Sequence, residues 1–445
     1  MLIVIASVLF YSWGGPKYIF IIIFSIFLDY FFAKFIYKAK GNKRKLLLVI
    51  AISINLGFLA YFKYANFFLD NINTTLLYFG NNVIDFKRVA LPIGISFFTF
   101  HEMSYIIDVY REDKPPMKNI VDYSLYILFF PQLIAGPIIR FNEIADQINN
   151  RRSQETIDNK LYGFYRFILG LAKKVLIANV LAVEADRIFA LNTLDINTST
   201  AWIGIIAYAF QIYFDFSGYS DMAIGIARML GFIFPENFNN PYISQSITEF
   251  WRRWHITLSR WMRDYLYIPL GGNKVKTVSR LYFNLCLVFL LSGLWHGAEW
   301  NFVAWGIYHG LFLVADRLFL LKFLQRIGRI PAVLITFVIT LIGWTFFRIS
   351  DISDAFAFIA KMFSFNFNLE TLYFDSKFWF IMGIATFFSF IRLFKIGESL
   401  EKICFESRNS LSVHYSLTLI SFLLFVISVS YITSSGFNPF IYFRF

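Results

Sequence analysis

Two long uninterrupted apolar runs, at about residues 18–37 and 46–68, limit what this chain can fold into. A helix needs about 20 apolar residues to cross the hydrocarbon core of a bilayer, and both runs reach that length. Hydrophobic residues make up 58% of the chain and charged residues 16%, so a single soluble core cannot bury its apolar surface. Because helices satisfy their own backbone hydrogen bonds in lipid, we predict an all-α polytopic transmembrane protein.

Further apolar segments extend this prediction along the chain. They lie at about 91–110, 123–140, 161–191, 200–214, 221–234, 280–295, 300–321, 331–347, 377–391 and 413–433. We expect about 11 membrane helices, by the length of these segments, together with interfacial or re-entrant helices. Since no stretch between them is long enough to bury a core of its own, residues 1–445 are predicted to form a single membrane-embedded domain.

The net charge of +12 comes from basic residues in short loops between the apolar runs. Residues 38–45 carry five cations and no acid, so the positive-inside rule places this loop in the cytoplasm. A polar loop after the second run, up to Val89, is then expected on the opposite side. This distribution does not predict nucleic-acid binding.

Cys286 and Cys404 fit neither a zinc pattern nor a disulfide framework, and no metal site is predicted.

Three segments have sequences that are not typical of continuous membrane-crossing helices. Residues 131–137 hold two prolines and a glycine, residues 214–221 (FDFSGYSD) hold two aspartates, and residues 234–247 are irregular and polar. Broken backbone at membrane depth survives where protein or a water-filled cavity covers it. These segments therefore indicate either an internal cavity or simple loops at the membrane interface.

Residues 248–267 (TEFWRRWHITLSRWMRDYLY) predict one amphipathic helix at the membrane surface. Its apolar face would comprise Trp251, Trp254, Leu258, Trp261, Met262, Tyr265 and Leu266, and its opposite face Arg252, Arg253, Arg260, Arg263 and Asp264. Arginines on one face can hold anionic headgroups or a phosphate-bearing donor. Arg252 and Arg253 are therefore candidate substrate-binding residues.

Histidines are the most informative titratable groups of the chain. His255 falls inside the apolar stripe of that helix, so it is either a satisfied core histidine or a group that lines a cavity. His296 follows an apolar run and lies between Gly293 and Gly297, which leave room for a ligand or another helix to approach the imidazole. Titratable residues at membrane depth are costly and often functional. His309 lies in the next apolar segment.

Familiar catalytic motifs are missing from this sequence. It contains no G-x-S-x-G, no P-loop, no H-E-x-x-H and no paired C-x-x-C. The chemistry would therefore depend on one or two histidines, with or without aspartates, and on a substrate that is already activated, without a bound cofactor. A thioester donor and a hydroxyl acceptor meet that description, because one base near neutral pKa removes the hydroxyl proton.

The sequence leaves more than one role open for the remaining candidate residues. Trp295, Asn301 or the backbone near Gly293 can stabilise an oxyanion. Asp215 and Asp221 can orient a histidine or bind substrate, or they can simply cap a break in a helix.

Six segments, in order, resemble the membrane-bound O-acyltransferase superfamily, and more narrowly its alginate O-acetyltransferase branch. They are LPIGISFFTFHEMSYIIDVYR (91–111), FFPQLIAGPIIR (129–140), FDFSGYSDMAIGIARMLGF (214–232), WRRWHITLSRWMRDYLYIPLGGN (251–273), SGLWHGAEWNFVAWGIYHG (292–310) and NPFIYFRF (438–445). Most of these motifs fall in a core at about residues 89–310.

The resemblance implies a multi-pass enzyme of the bacterial cytoplasmic (inner) membrane. Such enzymes pass an acyl group, usually acetyl, from cytosolic acyl-CoA toward an exported polysaccharide or cell-wall glycan, through a central funnel or tunnel. Their invariant histidine corresponds to His296, the expected base, and the histidine of their W-x-x-W-H motif corresponds to His255. A separate extracytoplasmic, hydrolase-like partner often completes transfer to the glycan.

Two other functions are compatible with the sequence. A transporter or flippase for a lipid-linked glycan would suit kinked spans around a cavity, and it would consume no thioester. A polyprenyl-dependent glycosyltransferase commonly needs carboxylates in an early extracytoplasmic loop, and the first turn here, at residues 14–16, has none.

Overall fold

The computed structural model describes residues 1–367, 373–405, 410–435 and 438–441. All regular secondary structure in these ranges is helical, which confirms the predicted all-α class there. The chain divides into two compact units, residues 1–154 and 155–445, and each is described by itself. The single domain over residues 1–445 stays a prediction. The side chain of Cys404 and residues 442–445 of the last motif lie outside the described part.

The first unit contains eight α-helices. They are α1 (Leu2–Gly14), α2 (Ile19–Lys38), α3 (Gly41–Leu59), α4 (Ala65–Tyr78), α5 (Ile95–Arg111), α6 (Ile120–Leu128), α7 (Phe130–Leu133) and α8 (Phe141–Asn149). A π-helical turn over Ala60–Tyr64 joins α3 to α4 without a break.

The second unit begins with α9 (Ile157–Ala172), α10 (Asn179–Phe189), α11 (Thr198–Met229), α12 (Ile247–Arg253), α13 (Ile256–Met262), α14 (Val278–His296) and α15 (Trp300–Ala315). It continues with α16 (Leu321–Ile327), α17 (Arg329–Arg348), α18 (Ile352–Met362), α19 (Ser376–Phe390), α20 (Lys395–Phe405) and α21 (Leu411–Ser435). Lys173–Ala178, Arg263–Tyr267 and Asp316–Leu320 are π-helical.

Six helices among the described residues are long and apolar enough to cross a membrane. They are Ile19–Lys38, Gly41–Tyr78, Val278–His296, Arg329–Arg348, Ser376–Leu393 and Leu411–Ser434. This supports a multi-pass membrane protein. The larger count of about 11 membrane helices stays a prediction.

The polar loop predicted from residue 69 to Val89 is wrong in its first part, because the helix continues to Tyr78, while residues 79–89 are non-helical as expected. The side chains of Asn71, Thr74 and Thr75 each donate a hydrogen bond to the carbonyl four residues earlier, at 2.7–2.9 Å. Such bonds satisfy short polar side chains inside a helix. Polar composition therefore does not end the helix here.

The break expected at residues 214–221 was also wrong, because these residues lie in the middle of α11, a continuous helix of 32 residues. This helix replaces the two separate segments predicted at 200–214 and 221–234. The two other interruptions are confirmed: α7 (Phe130–Leu133) has only four residues and ends inside 131–137, and 234–247 contains only a brief 3₁₀ turn before α12.

Helices α9 and α11 pack with their backbones in close contact through four glycines. A Cβ atom on Gly163 would lie 2.6 Å from the carbonyl oxygen of Gly225, and one on Gly218 would lie 2.7 Å from that of Gly170. Small residues at such positions let helices approach closely in a membrane. The close approach brings the cations that follow α9 against the aspartates of α11.

Candidate active site

The segment that carries the W-x-x-W-H motif is not one helix. Helix α12 ends at Arg253, and α13 begins at Ile256. His255 lies between them with φ +43°, in the left-handed region that non-glycine residues rarely adopt. The amphipathic helix predicted over 248–267 is therefore wrong, because the helical wheel does not account for this turn.

Asn237 holds the turn at His255 from the irregular segment that precedes α12. Its backbone carbonyl accepts a hydrogen bond from the N–H of Ile256 at 2.9 Å. Its side-chain Oδ1 accepts from the hydroxyl of Thr257 at 2.9 Å, and its Nδ2 donates to Ser220 Oγ at 2.9 Å. These bonds fix the orientation of the amide. The unfavourable φ of His255 is thus maintained by contacts made outside its own segment.

The orientation of Asn237 also determines the tautomer of His255. Nδ1 of His255 lies 3.0 Å from Oδ1 of Asn237, and an amide oxygen can only accept, so Nδ1 carries the proton. Nε2 then keeps its lone pair and has no hydrogen-bond partner within the described chain. Burial lowers the pKa of His255 to about 3, because the charged ring would be desolvated. His255 is therefore neutral at physiological pH.

The apolar face of this segment packs inside the protein instead of facing lipid. Its buried members include Trp251, Trp254, Leu258, Trp261, Met262 and Tyr265. On the polar face, Arg252 is exposed. Arg253 donates to Glu249 at 2.8 Å and to the carbonyl of Asn239 at 3.1 Å. The two arginines predicted to bind substrate thus lie on the outer side of this segment.

His296 is the last residue of α14, and α15 begins four residues later. The two helices pack closely because Gly293 faces the carbonyl oxygen of Phe302 and Gly306 faces that of Phe289, where a Cβ on Gly306 would lie only 2.5 Å from the oxygen. Gly297 faces the ring of Phe302. The glycines beside His296 therefore make room for α15, which is one of the two roles expected for them.

The imidazole of His296 lies in an aromatic environment. The centroid of its ring is 4.9 Å from that of Trp295 and 5.3 Å from that of Phe347. Trp295 also approaches His255, with 6.2 Å between ring centroids. The structure thus brings three predicted site residues, His255, Trp295 and His296, into one cluster.

A cavity of about 140 Å³ begins at the residue that follows His296. It is lined by Tyr208, Gln211, Gly297, Ala298, Glu299, Asn301, Phe302, Phe347, Arg348, Ser350 and Ile441. Asn301 was predicted as a site residue and lies in its wall. The first turn of α15 faces this space, so the helix directs the positive end of its dipole toward the cavity, whose wall also includes Glu299.

Two buried amide oxygens of the cavity wall, Gln211 Oε1 and Asn301 Oδ1, have no hydrogen-bond partner within the described residues. Buried polar atoms are usually satisfied, so such a pair indicates a ligand or ordered water. Arg348 lines the same wall and pairs with Asp186 at 2.8 Å. Gln211 and Arg348 were missed from the sequence, although a lone polar residue inside an apolar segment is a recognised functional signal.

Asp215 and Asp221 are partnered by cations of the segment that follows α9 and of α9 itself. Asp215 forms a buried ion pair with Lys174. Asp221 accepts from Arg166 at 2.7 Å and from Lys173 at 2.6 Å. Neither aspartate caps a helix break, since both lie within α11. Asp215 lines a narrow crevice that shares Gln211 and Ile441 with the cavity.

Residues 98–350 match the model of the MBOAT, membrane-bound O-acyltransferase family. The chain belongs to this family. The match covers both histidines, the cavity wall up to Ser350 and the two aspartates. It also identifies the chain as an acyltransferase.

Relatives of this membrane-bound O-acyltransferase carry related names. The "probable alginate O-acetylase AlgI" of Pseudomonas aeruginosa is 46% identical over 82% of this chain and 70% of its own length. The peptidoglycan O-acetyltransferase of Helicobacter pylori is 39% identical over 82% of this chain and 73% of its own length. The teichoic acid D-alanyltransferase of Bacillus subtilis is 30% identical over 51% of this chain and 59% of its own length. These relatives give no support to the transporter alternative.

Proposed function

We propose that the chain transfers an acyl group from a thioester donor, acetyl-CoA in the simplest case, to a hydroxyl of an exported cell-surface glycan. His296 is the general base. The observation that carries this proposal is the cavity of about 140 Å³ beside His296, whose wall holds two unpartnered amide oxygens and the first turn of α15. A small acyl group and a hydroxyl are of the size that such a cavity admits.

The reaction balances with one base. His296 takes the proton of the acceptor hydroxyl, and the oxygen attacks the thioester carbonyl. The first turn of α15 and the amide of Asn301 stabilise the negative charge that develops on the carbonyl oxygen. When the carbon–sulfur bond breaks, the sulfur leaves with the proton held by His296, giving an ester and a free thiol. No net proton is consumed.

His255 has a positioning role in this proposal. Its Nδ1 is committed to Asn237, and its neutral Nε2 can accept a hydrogen bond from the bound donor or from water. It also packs near Trp295, whose ring contacts His296 as well. Such groups contribute by holding the reacting atoms in line.

The relatives support a proposal for the acceptor, the membrane and the partner of the enzyme. The names of these relatives mention alginate, peptidoglycan and teichoic acid, all surface glycans, and we take the acceptor to be a glycan of this class. We place the protein in the bacterial cytoplasmic membrane, where a funnel or tunnel would link a cytosolic donor to an external acceptor. A hydrolase-like extracytoplasmic protein is the expected partner for the final transfer.

Release of free CoA tests the proposal. Purified protein in lipid nanodiscs is mixed with acetyl-CoA and cell-wall or exopolysaccharide extract, and the thiol is measured over time. His296→Ala should lower the rate at least about 100-fold, the usual contribution of a general base, while the thermal midpoint is retained. His414→Ala, at the start of α21, serves as the control. A His296→Ala variant with the wild-type rate would remove this residue from the mechanism.

A further inference from the structure

Residues 438–441 form a short segment that is distant in sequence from every other residue of the cavity. Ile441 is nevertheless buried and belongs to the same apolar core as Phe302 and Phe347. It lines both the cavity beside His296 and the crevice next to it. A segment outside the 98–350 family match therefore supplies part of the wall of the proposed acyl site.

A buried ion pair holds this segment by its backbone. Lys174 donates to the carbonyl oxygen of Pro439 at 3.0 Å, and the N–H of Ile441 donates to Oδ2 of Asp215 at 2.9 Å. Because Lys174 and Asp215 are also paired with each other, the cation and the anion bind neighbouring peptide groups of one chain segment.

Phe440, between the two bonded residues, is held on both sides. The Lys174 ammonium lies 4.8 Å from the centroid of its ring, in a cation–π contact. The ring of Tyr219 meets it edge-on, also at 4.8 Å. The backbone of residues 439–441 and the side chain of Phe440 are therefore both held in place. Only the rotamer of Ile441 itself remains free at the cavity.

We propose that Ile441 sets the length of acyl group that the cavity accepts, and that Lys174 and Asp215 are positioning residues that hold it there. The proposal rests on the proposed function, since it assumes that the acyl group of the thioester enters this cavity. It assigns to the buried Lys174–Asp215 pair a role that needs neither proton transfer nor contact with the substrate.

The cavity is small enough for the size of the Ile441 side chain to affect which acyl groups fit. A space of about 140 Å³ leaves little room beyond a short acyl group and the reacting hydroxyl. Each added methylene that a pocket must accommodate or reject changes relative rates by roughly 10-fold or more. Shortening Ile441 should therefore admit longer acyl groups, and enlarging it should exclude even short ones.

The test compares acetyl-CoA and butyryl-CoA as donors for wild type, Ile441→Ala and Ile441→Trp. We expect the butyryl-to-acetyl ratio of kcat/KM to rise about 10-fold in Ile441→Ala and to fall in Ile441→Trp. Ile339→Ala, a similar truncation in α17 of a residue that does not line the cavity, should leave the ratio unchanged. The double variant Lys174→Met/Asp215→Leu, which removes both charges together, should raise the ratio as Ile441→Ala does.

Binding gives a second measurement that does not need turnover. Ketone analogues of the two donors, with a methylene between sulfur and carbonyl, cannot transfer the acyl group, and their Kd values should change in the same ratio. An unchanged ratio in Ile441→Ala, with tight binding retained, would overturn the proposal and leave the acyltransferase function intact. If the wild-type protein binds neither analogue, the proposed donor fails and this inference fails with it.

Discussion

The rings of His296 and Trp305 meet edge to face, with 5.2 Å between their centroids. On its other side Trp305 contacts His309 at 5.1 Å, and that histidine is fully buried with no hydrogen bond to either ring nitrogen in the described part of the chain. Together with Trp295 and Phe347, Trp305 leaves the proposed base little rotational freedom. Aromatic packing thus constrains the position of the His296 ring.

Trp305→Ala should lower kcat more than it raises KM. The loss of the ring lets His296 rotate, and a displacement of about 1 Å in a reacting group costs up to roughly 100-fold in rate. The cavity left behind should also destabilise the protein by about 3–5 kcal/mol. Trp305→Phe keeps a ring at this position and should retain most of the rate. Equal rates for the Ala and Phe variants, measured by CoA release, would contradict the positioning role.

Asn237→Asp should make the reaction depend on pH through His255. A carboxylate at this position would raise the pKa of His255 by pairing with the imidazolium, whereas in the wild type burial lowers it to about 3. Below the raised pKa both ring nitrogens carry protons, so Nε2 can no longer accept a hydrogen bond. Activity of the variant should therefore rise with pH, over a range in which His255 of the wild type stays neutral.

The stability of Asn237→Asp should change with pH in the opposite direction. A histidine whose folded pKa is raised contributes stability at low pH and loses it as pH rises through that pKa. The thermal midpoint of the variant, relative to wild type, should therefore fall while its activity rises. Activity and midpoint that change together would show that Asn237 acts on stability alone. Asn237→Ala, which introduces no charge, serves as the control.

Long helices were predictable from the sequence because their signal is local. The apolar run predicted at 18–37 corresponds to the helix Ile19–Lys38, and the run at 331–347 corresponds to the helix Arg329–Arg348. Membrane-crossing length and continuous hydrophobicity are enough to mark such helices. His255 and His296 were likewise singled out from the sequence, because titratable groups in apolar segments are a recognised signal. That they lie together with Trp295 was not predicted.

The turn at His255 was not predictable because its cause lies elsewhere in the chain. A helical wheel uses only the spacing of residues within 248–267. The turn, however, is held by the side-chain amide of Asn237, 18 residues before His255. The same holds for residues 214–221, where two aspartates suggested a break. Their charges are neutralised by Arg166, Lys173 and Lys174, more than 40 residues earlier, so α11 continues.

Gly297→Ala should destabilise the protein by about 1–3 kcal/mol, as overpacking of a close contact usually does. The new methyl group would overlap the ring of Phe302, which also lines the cavity. Gly383→Ala in α19 is the control, because a Cβ there meets nothing within 4 Å and a helical glycine gains from the change. Thermal midpoints in detergent measure both. Adding Phe302→Leu to Gly297→Ala should restore part of the lost stability; no restoration would place the clash elsewhere.

Asp221→Ala should be among the most destabilising single changes in the second unit. Arg166 and Asp221 each expose 7% of their side chains, so the variant removes the buried carboxylate that Arg166 and Lys173 share and leaves Arg166 only the more exposed Glu236 as a partner. Removing one partner of a buried pair costs about 3–5 kcal/mol, whereas replacing both by apolar groups is often tolerated. Arg166→Met/Asp221→Leu should accordingly be more stable than Asp221→Ala in thermal or denaturant unfolding. A double variant less stable than Asp221→Ala would contradict this expectation. It would mean that the Arg166–Asp221 pair contributes net stability through its hydrogen bonds, and that the close glycine packing of α9 on α11 depends on this pair.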